Sequence, residues 1–398
     1  MNIATGRIPA WMDNDCWACV FLHTEWYLRA EFRLVCRDWA AILNNSHLWL
    51  DVDAYSRPAA LYGACAGGRL VVAQWLAAAF GLTANDEWAD YNFALRESCE
   101  GGHLAVAQWL VAAFGLTAED ARADDNGALR ISCATGHLEV AQWLTATFDL
   151  TAEDARDDDN WALRWSCAEG HLAVAQWLAA TFDLTAEDAR DGDNWALRWS
   201  CANGHLAVAQ WLVAAFNLTA ADARTHSNYA LRYSCRKGRL VVAQWLAATF
   251  DLTAVDARDG DNFALQHSCG KGHLDVAQWL VSAFDLATAD ARDFGNRALQ
   301  YSCGKGHLDV AQWLVATFGL TAEDARADSN RALRWSCENG HLAVAQWLVS
   351  TFGLTAEDAR ADGNHILRWS CDYGHLDVAR WLVATFDLGP HCEECRPL

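Results

Sequence analysis

Residues 194–227 of the chain read NWALRWSCANGHLAVAQWLVAAFNLTAADARTHS, and this 34-residue frame returns ten times between Pro58 and the C-terminus. A fixed period of this length is typical of helical repeat proteins, in which each repeat packs only against its neighbours. The period therefore outweighs the length of 398 residues, which alone would suggest two or three domains. We predict an all-α array of ten repeats over residues 58–398, preceded by a separate segment at residues 1–57.

Each repeat carries the signals of two helices joined by a turn. Asn opens nine of the ten repeats and is predicted to be the N-cap of a first helix, about 196–203 in the quoted repeat. Gly204 has a counterpart in all ten repeats and is predicted to end that helix in a left-handed conformation. A second helix, about 206–216, is apolar on nearly every side, so neighbouring repeats must cover it.

The segment after the second helix has the pattern of another helix start. It reads LTAEDAR at residues 150–156, where Thr151 and Asp154 have the spacing of a capping box. We expect a short third helix or a turn at this place in the repeats.

Charge and composition narrow the class of partner. The formal net charge is -21, and most of it falls on the repeats, so the phosphates of a nucleic acid would be repelled. No apolar stretch approaches the ~20 residues of a membrane helix, and the start lacks a signal-peptide pattern. We expect no nucleic-acid or membrane partner, and a cytoplasmic or nuclear location.

Cysteine and histidine recur once per repeat. The ten cysteines from Cys65 to Cys371 are predicted to be buried thiols, because helices stacked about 8–10 Å apart lie too far from each other for disulfides. Eight histidines, such as His205, follow the turn glycine. Neighbouring histidines at about the same spacing cannot share a metal ion, so we interpret them as packing residues.

No pattern for catalysis or cofactor binding stands out. Two Cys-x-x-Cys pairs, Cys16 with Cys19 and Cys392 with Cys395 beside His391, lie at opposite ends of the array and cannot share one zinc. The chain has no phosphate-binding glycine loop and no Gly-x-Ser-x-Gly motif. We expect no metal site, no cofactor and no enzymatic activity.

Comparison of the ten repeats with one another separates fixed from variable positions. The position after Asn and the position four residues later vary freely, and this spacing places both on one helix face. Aromatic side chains are frequent at interface hot spots, and the alternative interpretation is packing of large rings between repeats. The residues predicted to bind a partner are Trp161, Trp165, Trp195, Trp199, Tyr229, Tyr233, Phe263, Tyr301, Trp335 and Trp369. The two positions before the turn glycine, such as Arg236 and Lys237, extend the same stripe.

The stretch ALRWSCxxGHLxVAQWL, at residues 196–212 of the quoted repeat, resembles the ankyrin signature. In that signature a leucine, small residues, Gly-His and then valine with paired leucines mark a helix-turn-helix unit. The resemblance implies an ankyrin-like helical repeat solenoid that binds other proteins. The family's Gly-Ala-Asp hairpin is replaced here by LTAEDAR, so the finger-like hairpin is not expected.

Residues 1–57 resemble an F-box, on the run LRAEFRLVCRDW at residues 28–39 and on Leu48 followed by Trp49. The resemblance implies docking to the Skp adaptor of a cullin-RING ubiquitin ligase, through Leu34, Val35, Trp39 and Leu48. An F-box followed by such repeats is similar to proteins that giant DNA viruses of amoebae encode in multi-copy families. The chain would then be the substrate-recognition subunit of an SCF-type ligase, a monomer outside its complexes, acting in the host cell if it is viral. The alternative is a scaffold or decoy in which residues 1–57 only cap the stack.

Overall fold

The computed structural model describes residues 56–83, 91–360 and 365–389, and every regular element within them is an α-helix. The F-box-like segment, with Leu34, Val35, Trp39 and Leu48, lies outside the described residues. The same holds for Cys16 and Cys19 and for the C-terminal His391, Cys392 and Cys395. The roles expected for these residues stay predictions.

The chain forms two compact units, Met1–Ala189 and Arg190–Leu398, and each is an ankyrin-like helical repeat solenoid in its described part. The described helices of the first unit are Ser56–Ala66, Leu70–Phe80, Tyr91–Glu100, Leu104–Phe114, Ala118–Ala134, Leu138–Phe148, Ala152–Ala168 and Leu172–Thr181. One helix, Ala186–Asn203, contributes residues to both units. The helices of the second unit are Leu206–Phe216, Ala220–Ala223, Thr225–Arg236, Leu240–Thr249, Ala254–Gly270, Leu274–Phe284, Thr288–Gly304, Leu308–Phe318, Ala322–Ala325, Ala327–Glu338, Leu342–Phe352, Ala356–Arg360, His365–Asp372 and Leu376–Phe386.

The second helix of the quoted repeat spans Leu206–Phe216, as the sequence predicts. The short third helix is also confirmed, at Ala220–Ala223, with Thr219 and Asp222 forming the capping box. In several other repeats this short helix and the next first helix appear as one element with a non-helical break inside it. The repeat therefore contains two full helices and one additional helical turn.

Three consecutive residues with left-handed backbone form that break in seven junctions, as at Asp124, Asp125 and Asn126, with φ of 53°, 55° and 57°. The left-handed region costs most L-residues about 1–2 kcal/mol, and Asn, Asp and Gly tolerate it best. This preference explains why the three positions are mostly Asp, Ser, Gly and Asn. The Asp residues of these junctions therefore suit the left-handed backbone as well as being exposed to solvent.

The predicted N-cap role is wrong for the seven repeat-opening asparagines from Asn126 to Asn330, which all have left-handed backbone. An N-cap residue needs extended backbone, whereas Asn126 is left-handed, and its Oδ1 accepts no hydrogen bond. Its Nδ2 instead donates to Asp157 Oδ2 of the following repeat, at 2.9 Å. Asn228 and Asn262 donate in the same way to Asp259 and Asp293. The asparagine thus joins neighbouring repeats and does not cap its own helix.

The core of each repeat is built from the fixed positions of both full helices. In one repeat of the second unit, Leu265 and Cys269 from the first helix and Val276, Ala277 and Leu280 from the second are all 0% exposed. Because each repeat supplies the same set, the cores of successive repeats merge within a unit. This merging is the physical reason for the strict period of the sequence.

Nine of the ten repeat cysteines are confirmed as buried free thiols. Burial raises the pKa of the Cys65, Cys99 and Cys269 thiols to about 12, so they are protonated and unreactive at neutral pH. Cys371 is the exception, because it is half-buried and disulfide-bonded. The prediction of a free, buried thiol is therefore wrong at Cys371, because the spacing between repeats excludes only disulfides between their equivalent cysteines.

Candidate partner-binding surface

The variable positions of the first helices form a continuous line of ring contacts in the second unit. Consecutive ring centroids along it are 3.9 to 5.9 Å apart, so each ring is in contact with the next. We call this line the aromatic ribbon, and it consists of Trp195, Trp199, Tyr229, Tyr233, Phe263, His267, Tyr301 and Trp335.

The ten residues predicted to bind a partner are all half-buried. Seven of them belong to the aromatic ribbon, while Trp161 and Trp165 pair in the first unit at 5.4 Å and Trp369 pairs with His365 at 5.1 Å. Packing between repeats therefore covers part of each ring and leaves the rest accessible. Their role in binding stays a prediction.

Cationic side chains lie over the rings of the aromatic ribbon. Arg198 lies 5.0 Å from the centroid of Tyr229, and Arg232 lies 4.8 Å from that of Phe263. Lys237 lies 5.3 Å from the Trp199 ring. Such contacts contribute about 0.5–1 kcal/mol each at exposed sites, and they place positive charge beside the aromatic surface.

The distribution of positive charge is the feature that sequence reasoning missed. The chain has only three lysines, Lys237, Lys271 and Lys305, at the same position of three consecutive repeats. The first-helix segments 228–239, 262–273 and 296–307 together hold seven Lys and Arg and no Asp or Glu. Summing the charge over whole repeats concealed this local excess within an acidic protein.

The ribbon histidine reports the same positive environment. Burial lowers the pKa of His267 to about 4, and the nearby Arg236, Arg297 and Lys271 lower it further in the same direction. His267 is therefore neutral at physiological pH and serves as another ring of the ribbon. It stacks on Phe263 with centroids 3.9 Å apart.

A cleft of about 290 Å³ opens between the last two rings of the aromatic ribbon. Tyr301 and Trp335 form its walls, with rings 11° from parallel and centroids 5.9 Å apart. Gly304 also lines it, and a Cβ there would lie 3.0 Å from Trp335 Cβ. Lys305 and Asn339, which are both exposed, complete the opening together with Glu338.

The repeated histidines pack against the turn glycine of the preceding repeat, as the packing interpretation predicts. A Cβ on Gly68 would lie 2.5 Å from His103 Nδ1, and the Nε2 of this histidine lies 3.0 Å from the Ala66 carbonyl oxygen. Gly68 also has a φ of 69°, so the position needs glycine for both reasons. Among the described residues, no three His, Cys, Asp or Glu side chains are placed to hold a metal ion.

A ladder of ion pairs runs through the short third helices, and the sequence analysis did not predict it. The capping-box Asp of one repeat binds an Arg of the preceding repeat, with Nε to Oδ1 distances of 2.6 to 2.8 Å. We call it the Asp–Arg ladder, and its pairs are Arg122–Asp154, Arg156–Asp188, Arg190–Asp222, Arg224–Asp256, Arg258–Asp290, Arg292–Asp324 and Arg326–Asp358. The repeated letters TAEDAR carried this signal, because Asp and Arg recur at these positions in the second to ninth repeats.

The ladder carboxylates are ionised even in acid. Burial raises the pKa of Asp188, but hydrogen bonds from Arg156 and from the backbone and hydroxyl of Thr185 outweigh it and lower the pKa to about 2. The same balance lowers the pKa of Asp222 and Asp256 to about 2. The ladder therefore holds neighbouring repeats together, and its carboxylates are not candidates for acid-base chemistry.

A family-model match supports the repeat assignment over residues 252–324. The family model for ankyrin repeats in three copies matches residues 252–324. A solved ankyrin repeat family protein from Legionella pneumophila is 14% identical, with 85% of this chain and 89% of that chain covered, at a TM-score of 0.28. No curated protein matches the sequence. Residues 252–324 are thus similar to ankyrin repeats, and the other repeats share their 34-residue frame.

No helix within the described ranges is both long and apolar enough to cross a membrane. Ankyrin repeats imply protein partners, and such helical repeats are typically not catalytic. The class that the fold and the surface define is therefore a repeat protein with a role in protein–protein interaction.

Proposed function

We propose that the chain is the substrate-recognition subunit of an SCF-type ubiquitin ligase. In this proposal residues 1–57 dock a Skp adaptor, and the repeats bind the target protein without catalysing a reaction. The observation that supports target binding is the aromatic ribbon, which exposes parts of eight neighbouring rings with cations beside them. Aromatic and Arg side chains carry most of the binding energy in protein interfaces.

The adaptor half of the proposal rests on the resemblance of residues 28–49 to an F-box. It predicts a direct complex between the purified full chain and a purified Skp adaptor, observed as co-elution in size-exclusion chromatography. The double variant Leu34→Ala with Trp39→Ala should lose this complex while its far-UV circular dichroism stays that of the unchanged chain. A full chain that does not co-elute with the adaptor contradicts the adaptor half.

The second candidate function is a scaffold or decoy, in which residues 1–57 cover the first repeat. The reason for this candidate is that the terminal repeats of such arrays expose an apolar side that must be capped. The two candidates differ in what deletion of residues 1–57 does. The scaffold predicts that the shortened chain aggregates yet still binds the same target, whereas the receptor predicts loss of the adaptor complex as well.

A further inference from the structure

We infer that the part of the aromatic ribbon between Lys271 and Trp335 binds an extended acidic segment of a protein partner, with one apolar side chain of that segment in the Tyr301–Trp335 cleft. This inference rests on the proposed role in protein binding, but it does not depend on docking to the adaptor. It assigns a partner chemistry and a register to one surface of the second unit.

The positive charge of this surface is complementary to an acidic partner. The segments 262–273 and 296–307 hold Lys271, Arg297 and Lys305 and no acidic residue, although the chain carries a formal charge of -21. Lys271 and Lys305 are exposed at the C-terminal ends of consecutive first helices. Two ammonium groups at equivalent positions of neighbouring repeats present a regular row of charge to a carboxylate-bearing partner.

The Tyr301–Trp335 cleft lies beside this row of lysines and offers an apolar contact. The first helix that contributes Tyr301 ends in Gly304, and its counterpart one repeat earlier ends in Gly270, whereas Ala168 and Ala202 occupy the equivalent sites in earlier repeats. The missing Cβ at Gly304 lets Trp335 pack close to the first helix, since a Cβ there would lie 3.0 Å from Trp335 Cβ, and the Trp335 ring lies nearly parallel to that of Tyr301. Lys305 lies at the rim of the same cleft. A partner side chain placed there would contact two rings while a neighbouring carboxylate reaches the lysine.

The distance between successive repeats also fits the rise of an extended peptide. Packed helices lie about 8–10 Å apart, and an extended chain in the polyproline II conformation rises about 3.1 Å per residue with three residues per turn. Carboxylates on every third residue of such a peptide lie on one side and therefore match lysines on successive repeats. A nucleic acid also carries regular negative charge. The rest of the unit is acidic, however, and Asp275 and Asp309 are exposed at the second residue of the helices that follow the two lysines. This acidic surface repels a few isolated carboxylates less strongly than it repels a continuous phosphate backbone.

The test uses the full chain and a defined probe, a fluorescein-labelled synthetic peptide of about a dozen residues with Glu at every third position and one central Phe. We expect saturable binding by fluorescence anisotropy that weakens as salt is added. The comparison probes are the same peptide with Lys in place of Glu, the same peptide with Ala in place of Phe, and a uridine oligonucleotide of similar length. Both altered peptides should bind more weakly, and the oligonucleotide should bind more weakly than the acidic peptide.

Two matched double variants locate the contact. Lys271→Gln with Lys305→Gln removes two positive charges beside the aromatic ribbon. We expect this variant to bind the acidic peptide about tenfold more weakly at low salt. Gln278→Glu with Gln312→Glu makes the same change in net charge on the second helices of the same repeats, at exposed positions. This control should bind the peptide within about twofold of the unchanged chain, the size of a screened long-range effect.

A variant of the cleft tests the apolar anchor. Gly304→Ala places a methyl group beside Trp335 and should weaken the Phe-containing peptide while leaving the Ala-containing peptide unchanged. Because alanine occupies the equivalent position in other repeats, the variant is compatible with the fold. Circular dichroism of each variant checks that the helices remain.

Amine acetylation gives an independent readout, since the chain has only three lysines. Bound acidic peptide should slow acetylation of Lys271 and Lys305 several-fold, as followed by mass spectrometry. No saturable binding of the acidic peptide, equal loss in both double variants, or tighter binding of the oligonucleotide would each overturn the inference. Binding of the Lys-containing peptide instead would overturn the acidic partner while leaving the role in protein binding intact.

Discussion

The Asp–Arg ladder provides a prediction with an internal control. Asp256 accepts hydrogen bonds from Arg224 Nε and Nη2 at 2.7 and 3.1 Å, and from the Thr253 backbone amide and hydroxyl at 2.8 and 3.1 Å. Asp120 forms the same capping box with Thr117, at 2.7 and 2.8 Å. The ladder position one repeat earlier is Trp88 and not Arg. Asp256 also accepts a hydrogen bond from Asn228 Nδ2 at 3.2 Å, so replacing each Asp with Ala separates the cap from the bonds to the preceding repeat, of which the ion pair is the main one.

The expected magnitudes follow from these bonds. Loss of a helix cap costs about 1 kcal/mol, and this is the whole effect expected for Asp120→Ala. For Asp256→Ala we add about 1.5 kcal/mol for the charge-assisted bonds. The low end of their range applies because the Arg224 side chain is 36% exposed and partly screened. The predicted loss for Asp256→Ala is thus about 2.5 kcal/mol, with most of the difference in the coupling between two repeats.

Urea unfolding followed by far-UV circular dichroism measures both losses, and hydrogen exchange of the segments around residues 224 and 256 shows whether the loss is local. Because a repeat array can unfold in parts, the exchange data decide if the unfolding curve has more than one phase. Equal destabilisation by the two variants would refute the reasoning, since the inter-repeat arginine would then contribute nothing.

Three further predictions concern pH, a cap and a turn. The pKa of Asp188, Asp222 and Asp256 is about 2 in the folded chain against an ordinary 3.8. The stabilisation that these ionised carboxylates provide is therefore complete above about pH 4 and is lost as the pH falls through about 2. The urea concentration at the unfolding midpoint should fall across this pH window. Ala287→Thr restores the capping hydroxyl that this repeat lacks and should stabilise by about 0.5–1 kcal/mol in urea unfolding. Gly272→Ala should cost about 3 kcal/mol in the same assay, because its φ is 78° and a Cβ would lie 2.6 Å from His307 Nδ1.

Each of these predictions has its own control. Asp→Asn substitutions in the ladder should flatten the pH dependence, and a urea midpoint that is constant from pH 4 to 2 would contradict the linkage. Thr at the equivalent cap of neighbouring repeats makes Ala287→Thr compatible with the fold, so a destabilised variant would contradict the assigned cap. Gly353→Ala shares a positive φ of 59° without any atom within 4 Å, and we expect only about 1 kcal/mol there.

The helices of the repeat could be predicted from sequence because their signals are local and repeated. The second helix at Leu206–Phe216 and the capping box of the third helix both agree with the prediction. The error at the asparagine has a physical reason, since Asn favours both N-caps and left-handed backbone. The three left-handed residues in a row, as at Asp158, Asp159 and Asn160, are decided by how one repeat meets the next.

The candidate surface was only partly predictable. The variable positions and their shared helix face followed from comparing repeats, whereas the ring contacts between repeats, such as Tyr233 with Phe263, required the structure. The cationic excess was readable from the sequence, because all three lysines share one repeat position, but total charge pointed the other way. The Tyr301–Trp335 cleft depends on Gly304 lying under a ring of the next repeat, which no local pattern specifies.

Quantitative co-precipitation from a eukaryotic lysate tests the central claim most directly, with three forms of the full chain compared. They are the unchanged chain, the adaptor variant Leu34→Ala with Trp39→Ala, and the ribbon variant Lys271→Gln with Lys305→Gln. A substrate receptor with the proposed surface predicts that the adaptor variant loses Skp and cullin but keeps its target. It predicts the converse for the ribbon variant, and a ribbon variant that retains every protein bound by the unchanged chain would contradict the account.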